Sequence, residues 1–110
     1  MCQYQTLYHD NEKGYIIHCL YCNNIQLGFG NIAITFSNAE FFRFQQAMSH
    51  VHAGLLPGET DSPLKNITLP TPCDGINLLL SPRELNHLNH MLDMAETELR
   101  SQELIDLFKE

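Results

Sequence analysis

Apolar and polar residues alternate at every second position over two short runs, Ile25–Phe29 and Ile32–Phe36. They recur every third or fourth position over two longer runs beginning near Asn38 and Pro82. A period of two marks half-buried strands, and a period near 3.6 marks amphipathic helices. Gly30-Asn31 between the short runs predicts a tight hairpin, because Gly supplies the positive φ such turns require. That turn sets Phe29 beside Ile32, Leu27 beside Ile34 and Ile25 beside Phe36 on one face. Gly28 beside Ala33 and Gln26 beside Thr35 fall on the other. One face is wholly apolar, as a half-buried antiparallel sheet requires.

Ser37-x-x-Glu40 is a capping box, in which the Ser hydroxyl and the Glu carboxylate each satisfy a backbone N–H that the first helical turn leaves open. The helix it opens carries Phe41, Phe44, Met48 and Val51 on one stripe, and Gly54 with Pro57-Gly58 ends it. Residues 54–65 form the longest loop. Asn66 to Pro72 reads as an edge strand, because Pro70 and Pro72 cannot donate ladder hydrogen bonds. Asp74-Gly75 predicts a second tight hairpin, with Cys73 opposite Ile76, Thr71 opposite Leu78 and Leu69 opposite Leu80, so that Cys73 faces inward. Ser81-Pro82-Arg83-Glu84 is a second capping box with Pro at the first helical position. Leu85, Leu88, Leu92, Ala95 and Leu99 line the final helix. Beyond Leu99 the apolar positions move to Leu104, Leu107 and Phe108, which predicts a kink or a restart at Ser101-Gln102-Glu103.

At the other end, Gln3–His9 and Tyr15–Cys22 read as a hairpin around the polar loop Asp10–Gly14, with Cys2 opposite Cys22 and Gln5 opposite Cys19. Asn23-Asn24 turns the chain into the next strand. The order is β-β-β-β-α-β-β-α: an α+β fold with one antiparallel sheet of about six strands and two helices on one face. Setting Asp74-Gly75 under Gly30-Asn31 aligns Ser37 with Ser81, Glu40 with Glu84 and Phe41 with Leu85, so the hairpin-helix unit looks duplicated. The expected organisation is a single domain over 1–110, built from an N-terminal hairpin (1–24) and hairpin-helix units at 25–53 and 66–110.

A chain of 110 residues, 44% apolar, can bury roughly two-thirds of its unfolded surface without disulfides. No leader and no apolar run of membrane-spanning length is visible, which points to the cytoplasm. A formal charge of -7, with six Lys and Arg scattered singly, opposes phosphate neutralisation and argues against nucleic-acid binding. In a reducing compartment the four Cys are thiols or metal ligands rather than bridges.

His18-Cys19-x-x-Cys22 is the sharpest chemical feature, since two Cys three apart at a turn can direct both thiolates at one tetrahedral ion. A structural zinc held by Cys2, Cys19 and Cys22 needs a fourth donor, and His50 or His52 is the candidate if the first helix has already ended there. Two other readings stand beside it: reduced, partly buried thiols, or a redox pair. The redox pair is disfavoured because thiol-disulfide enzymes place Cys-x-x-Cys at a helix N-terminus, whereas this one ends a strand. Cys73 reads as a small buried hydrophobe. His87, His90, Met91 and Met94 share a helical face suited to packing on a partner protein or a second copy. No paired carboxylates, Ser-His-Asp order or phosphate loop appears, so nothing positive points to an enzyme.

Cys2, the strand Gly14-Tyr15-Ile16-Ile17-His18-Cys19-x-x-Cys22, the run Gln26-Leu27-Gly28-Phe29-Gly30-Asn31, and Leu69-Pro70-Thr71-Pro72 together give the chain a likeness. It resembles a family of short bacterial proteins known only as a domain of unknown function. The resemblance spans nearly the full chain and implies a soluble cytoplasmic protein. It supports treating the three N-terminal Cys as a set and brings no activity with it. The function expected is a small cytoplasmic binding or adaptor module stabilised by one zinc; the alternative is a thiol-based redox protein using Cys19 and Cys22.

Overall fold

The computed structural model describes residues 3–108. Its elements are β1 (Tyr4–Asp10), β2 (Gly14–Cys19), β3 (Ile25–Phe29), β4 (Ile32–Phe36), α1 (Asn38–Ala53), β5 (Ile67–Pro70), β6 (Asn77–Leu80) and α2 (Pro82–Leu107). The α+β order and the six strands are as expected, but the strands form two sheets. β1-β2-β3-β4 is a four-stranded antiparallel meander, and β5-β6 is a separate hairpin. Pro70 closes β5 and Pro72 follows it. Neither can donate a ladder hydrogen bond, which limits the growth of that strand onto a neighbour.

The β3–β4 register is the one the Gly30-Asn31 turn dictates, with Phe29 opposite Ile32, Leu27 opposite Ile34 and Ile25 opposite Phe36. Ile16, Ile25, Leu27 and Phe36 on the inner face are fully buried, and α1 and α2 cover that face with Phe41, Phe44, Met48, Leu85, Leu88 and Leu92. Leu69, Leu78 and Leu80 of the small hairpin join the same core. The Phe36 ring contacts Phe41 edge-on at 5.8 Å and Phe44 at 5.0 Å, tying the end of β4 to the first turns of α1. Both capping boxes are formed: Glu40 N–H donates to Ser37 Oγ and Glu84 N–H to Ser81 Oγ, while each Glu carboxylate accepts from the Ser backbone N–H.

Three expectations need correction. In β1–β2, Asp10 pairs with Gly14 and Tyr8 with Ile16, but Thr6 pairs with Ile17 and Tyr4, not Gln5, with Cys19. A bulge at Leu7 shifts the register and lets both Leu7 and Tyr8 pack on the core. In β5–β6, Leu69 pairs with Leu78 and Ile67 with Leu80, two residues away from the predicted register. The Thr71 hydroxyl donates to the Ile76 carbonyl at 2.6 Å and accepts the Cys73 N–H at 3.2 Å, organising a longer loop. A shift of two preserves the faces, so the leucines stay buried, while Cys73 is exposed rather than inward. Finally, α2 runs unbroken to Leu107. With no Gly or Pro between Arg83 and Leu107, it has no cause to kink. No helix among the described residues is long and apolar enough to cross a membrane.

Candidate functional site

The turn from β2 to β3 holds the Cys pair. Cys19 N–H donates to the Asn24 carbonyl at 2.8 Å and Asn23 N–H to the Cys19 carbonyl at 3.0 Å, closing a compact loop over residues 19–24. Inside it, Cys22 N–H donates to Cys19 Sγ at 3.4 Å. Asn23 takes a left-handed backbone, φ 64°, a conformation Asn accepts at lower cost than most residues. The chain therefore reverses directly after Cys22. Below the turn, Asn23 Oδ1 accepts from His18 Nε2 at 2.6 Å, which leaves the buried His18 Nδ1 with no hydrogen-bond partner among the described residues.

Side chains alternate along a strand. Ile16 faces the helices, so His18 shares its side and Cys19 faces the opposite, outer surface. Cys19 is buried there and Cys22 exposed, and both line a recess with Tyr4, Asn24, Gln26 and Thr35. A polar ladder crosses the same surface: Tyr15 OH donates to Gln26 Oε1 at 2.9 Å and Gln26 Nε2 to Thr35 Oγ1 at 3.3 Å.

His50 and His52 are not brought to this recess. α1 starts beside it, because Phe36 pairs with Ile25 next to the end of β2, and the two His lie about 20 Å further along the helix at 1.5 Å per residue. They also lie on the helix side of the sheet. α1 remains helical through Ala53, which turns His50 and His52 about 200° apart around its axis, and His52 Nε2 sits 3.0 Å from Asn86 Oδ1 of α2. Among the described residues no group of three or more His, Cys, Asp or Glu is placed to hold a metal ion. Cys2, the third expected ligand, lies outside the described residues.

The His/Met face of α2 is divided. Met91 is fully buried beneath the β1–β2 hairpin, its Cε 3.3 Å from the position a Cβ would take on Gly14. His90 meets Tyr8 edge-on with ring centroids 6.1 Å apart. Burial, reinforced by Lys13 and Arg83, holds the His87 pKa below its ordinary value, against the opposing pull of Asp10 and Asp61. Of the four, His90 and Met94 are exposed.

The His18–Asn23 bond and the Tyr15-Gln26-Thr35 ladder escape a reading of the sequence. Their only signal is polar residues on strands adjacent to turns. No curated protein and no solved structure shows a match to the chain. A family model described as a family of unknown function (DUF6686) matches residues 1–108, spanning the Cys turn, both helices and the bulged first strand. The chain belongs to the DUF6686 family, whose function is unknown.

Proposed function

We propose that the chain is a small cytoplasmic binding module whose 19–24 turn closes on one zinc ion through the thiolates of Cys19 and Cys22, with Cys2 as third ligand. The metal's role is to fix the open end of the sheet. The observation that carries this reading is the Cys22 N–H donated to Cys19 Sγ within a turn reversed at Asn23. Backbone N–H groups aimed at sulfur offset the negative charge that gathers when several thiolates share a dication. The spacing of two between the Cys is that of tetrahedral zinc turns. Cys2 stands two residues before Tyr4, the partner of Cys19. His50 and His52 take no part, so the fourth position falls to a water or an external ligand.

A redox role for Cys19 and Cys22 draws less support. The pair follows a strand, without the helix dipole that activates thiol-disulfide enzymes. Zinc content and reactive thiols, measured on protein purified without chelator, separate the two. One zinc per chain with protected thiols, both lost in Cys22→Ser, is the expected result. Metal-free protein with freely reactive thiols overturns the zinc reading and supports the redox one.

A further inference from the structure

The solvent side of α2 carries a second apolar pattern that the chain's own core does not use. Met94, Thr97, Ser101, Leu104 and Phe108 follow at steps of three, four, three and four, the a/d spacing of a helix–helix seam. At 100° per residue this seam lies about 180° around the helix from the core stripe Leu85, Leu88, Leu92, Ala95 and Leu99. No bending of α2 could therefore fold it back into the same core. All five seam residues are exposed. Leu104 is 57% exposed and Phe108 86%, and they are flanked by Ile105 at 47% and Leu107 at 72%. The apparent shift of the apolar pattern after Leu99 is the start of this second face.

We propose that this face pairs with the same face of a second copy, forming a two-fold homodimer through the C-terminal half of α2. Two features select a second copy as the occupant. The first is area: Met94, Leu104, Ile105 and Phe108 offer roughly 500 Å², and two such faces with their polar rims reach the lower end of the roughly 1,200–2,000 Å² total of a specific, stable interface. The second is charge. A chain of net charge -7 resists self-association wherever its carboxylates meet, yet Glu103 and Asp106 turn to the opposite side of α2 and no acidic side chain lies on the seam itself. The seam is thus neutral along its length and self-complementary, as a two-fold contact requires. The N-terminal half of the helix takes no part, because His90 is engaged by Tyr8 and Met91 is buried. The seam is on the side of α2 turned away from the Cys turn, whose His18, Leu20 and Asn23 share a recess with Leu99, Gln102, Glu103 and Asp106 on the helix's opposite side.

Equilibrium sedimentation of the full chain from micromolar to millimolar concentration tests this. The apparent mass should rise from 12.6 kDa to twice that value. A Leu104→Glu, Phe108→Glu double variant should remain monomeric with an unchanged far-ultraviolet dichroism spectrum, since neither side chain is in the core. Ser101→Leu, which adds an apolar group at the centre of the seam, should tighten the dimer by about tenfold or more. A wild-type chain that stays monomeric throughout overturns the proposal. So does a folded double variant that dimerises like wild type, or a dissociation constant that Ser101→Leu leaves unchanged. If the double variant does not fold, Ser101→Leu decides.

Discussion

Replacing Gly14 by Ala should damage the four-stranded sheet far more than the same change at Gly30, although both glycines have positive φ. Gly14 has φ +144°, and a Cβ there would sit 2.0 Å from the Gly28 carbonyl oxygen, 3.0 Å from its carbonyl carbon and 3.3 Å from Met91 Cε. The Met91 side chain can yield. The Gly28 carbonyl cannot, because it belongs to β3, held to β2 through the pairs Gly14–Phe29 and Tyr15–Gly28. Gly30 has φ +59° and nothing within 4 Å of its Cβ position. Gly30→Ala therefore carries a backbone penalty of about 1–2 kcal/mol. Gly14→Ala carries a backbone term of about 1–3 kcal/mol plus about 1–3 kcal/mol for forcing atoms into filled space. The total, about 2–6 kcal/mol and centred near 4, is a large part of the roughly 5–15 kcal/mol stability of a single domain. Urea unfolding followed by dichroism resolves the difference: with a slope of about 1–2 kcal/mol per molar, Gly14→Ala should unfold one to several molar earlier than Gly30→Ala. Curves for the two variants that lie within about 1 kcal/mol of each other would refute the reasoning and place β2 further from β3 than described.

Two further perturbations probe the helix starts. Ser81 is buried and Ser37 exposed, so within the ~0.5–2 kcal/mol range for losing a cap, Ser81→Ala should fall near the top and Ser37→Ala near the bottom in the same urea assay. The reverse order would contradict it. Glu84 has a pKa below its ordinary 4.5: burial pushes upward, but the Ser81 backbone N–H and the Lys65 ammonium outweigh it. Because the folded pKa is the lower one, the ionised carboxylate's stabilisation is fully present above pH 4.5 and is lost as pH falls through the folded value. Unfolding measured against pH should therefore show a shallower acid decline for Glu84→Gln than for wild type. An identical decline would remove Glu84 from the account.

Where the sequence contains a short turn with one permitted geometry, its reading matches the structure residue for residue. Gly30-Asn31 admits a single register, and β3–β4 has it; both capping boxes depend on contacts only three residues long, and both form. The misreadings lie where a longer-range contact overrides a local one. The bulge at Leu7 exists because Leu7 and Tyr8 both find room under the helices, which no periodicity within β1 can reveal. Asp74-Gly75 looks like a two-residue turn until the Thr71 hydroxyl bonds across the loop to Ile76. The exposed leucines after Leu99 suggest a kink only if a single chain must bury them. For the site, the Cys pair at a turn with Asn23 reversing the chain was legible. The separation of His50 and His52 from it was not, because that depends on which face of the sheet Cys19 occupies.

The central claim is that Cys19 and Cys22 hold a metal, and zinc-edge X-ray absorption on protein purified without chelator tests it most directly. The account predicts one zinc per chain with a shell of three sulfur atoms at about 2.3 Å and one lighter atom at about 2.0 Å. A zinc shell of nitrogen and oxygen alone, or a protein that binds no zinc when it is supplied, would contradict it.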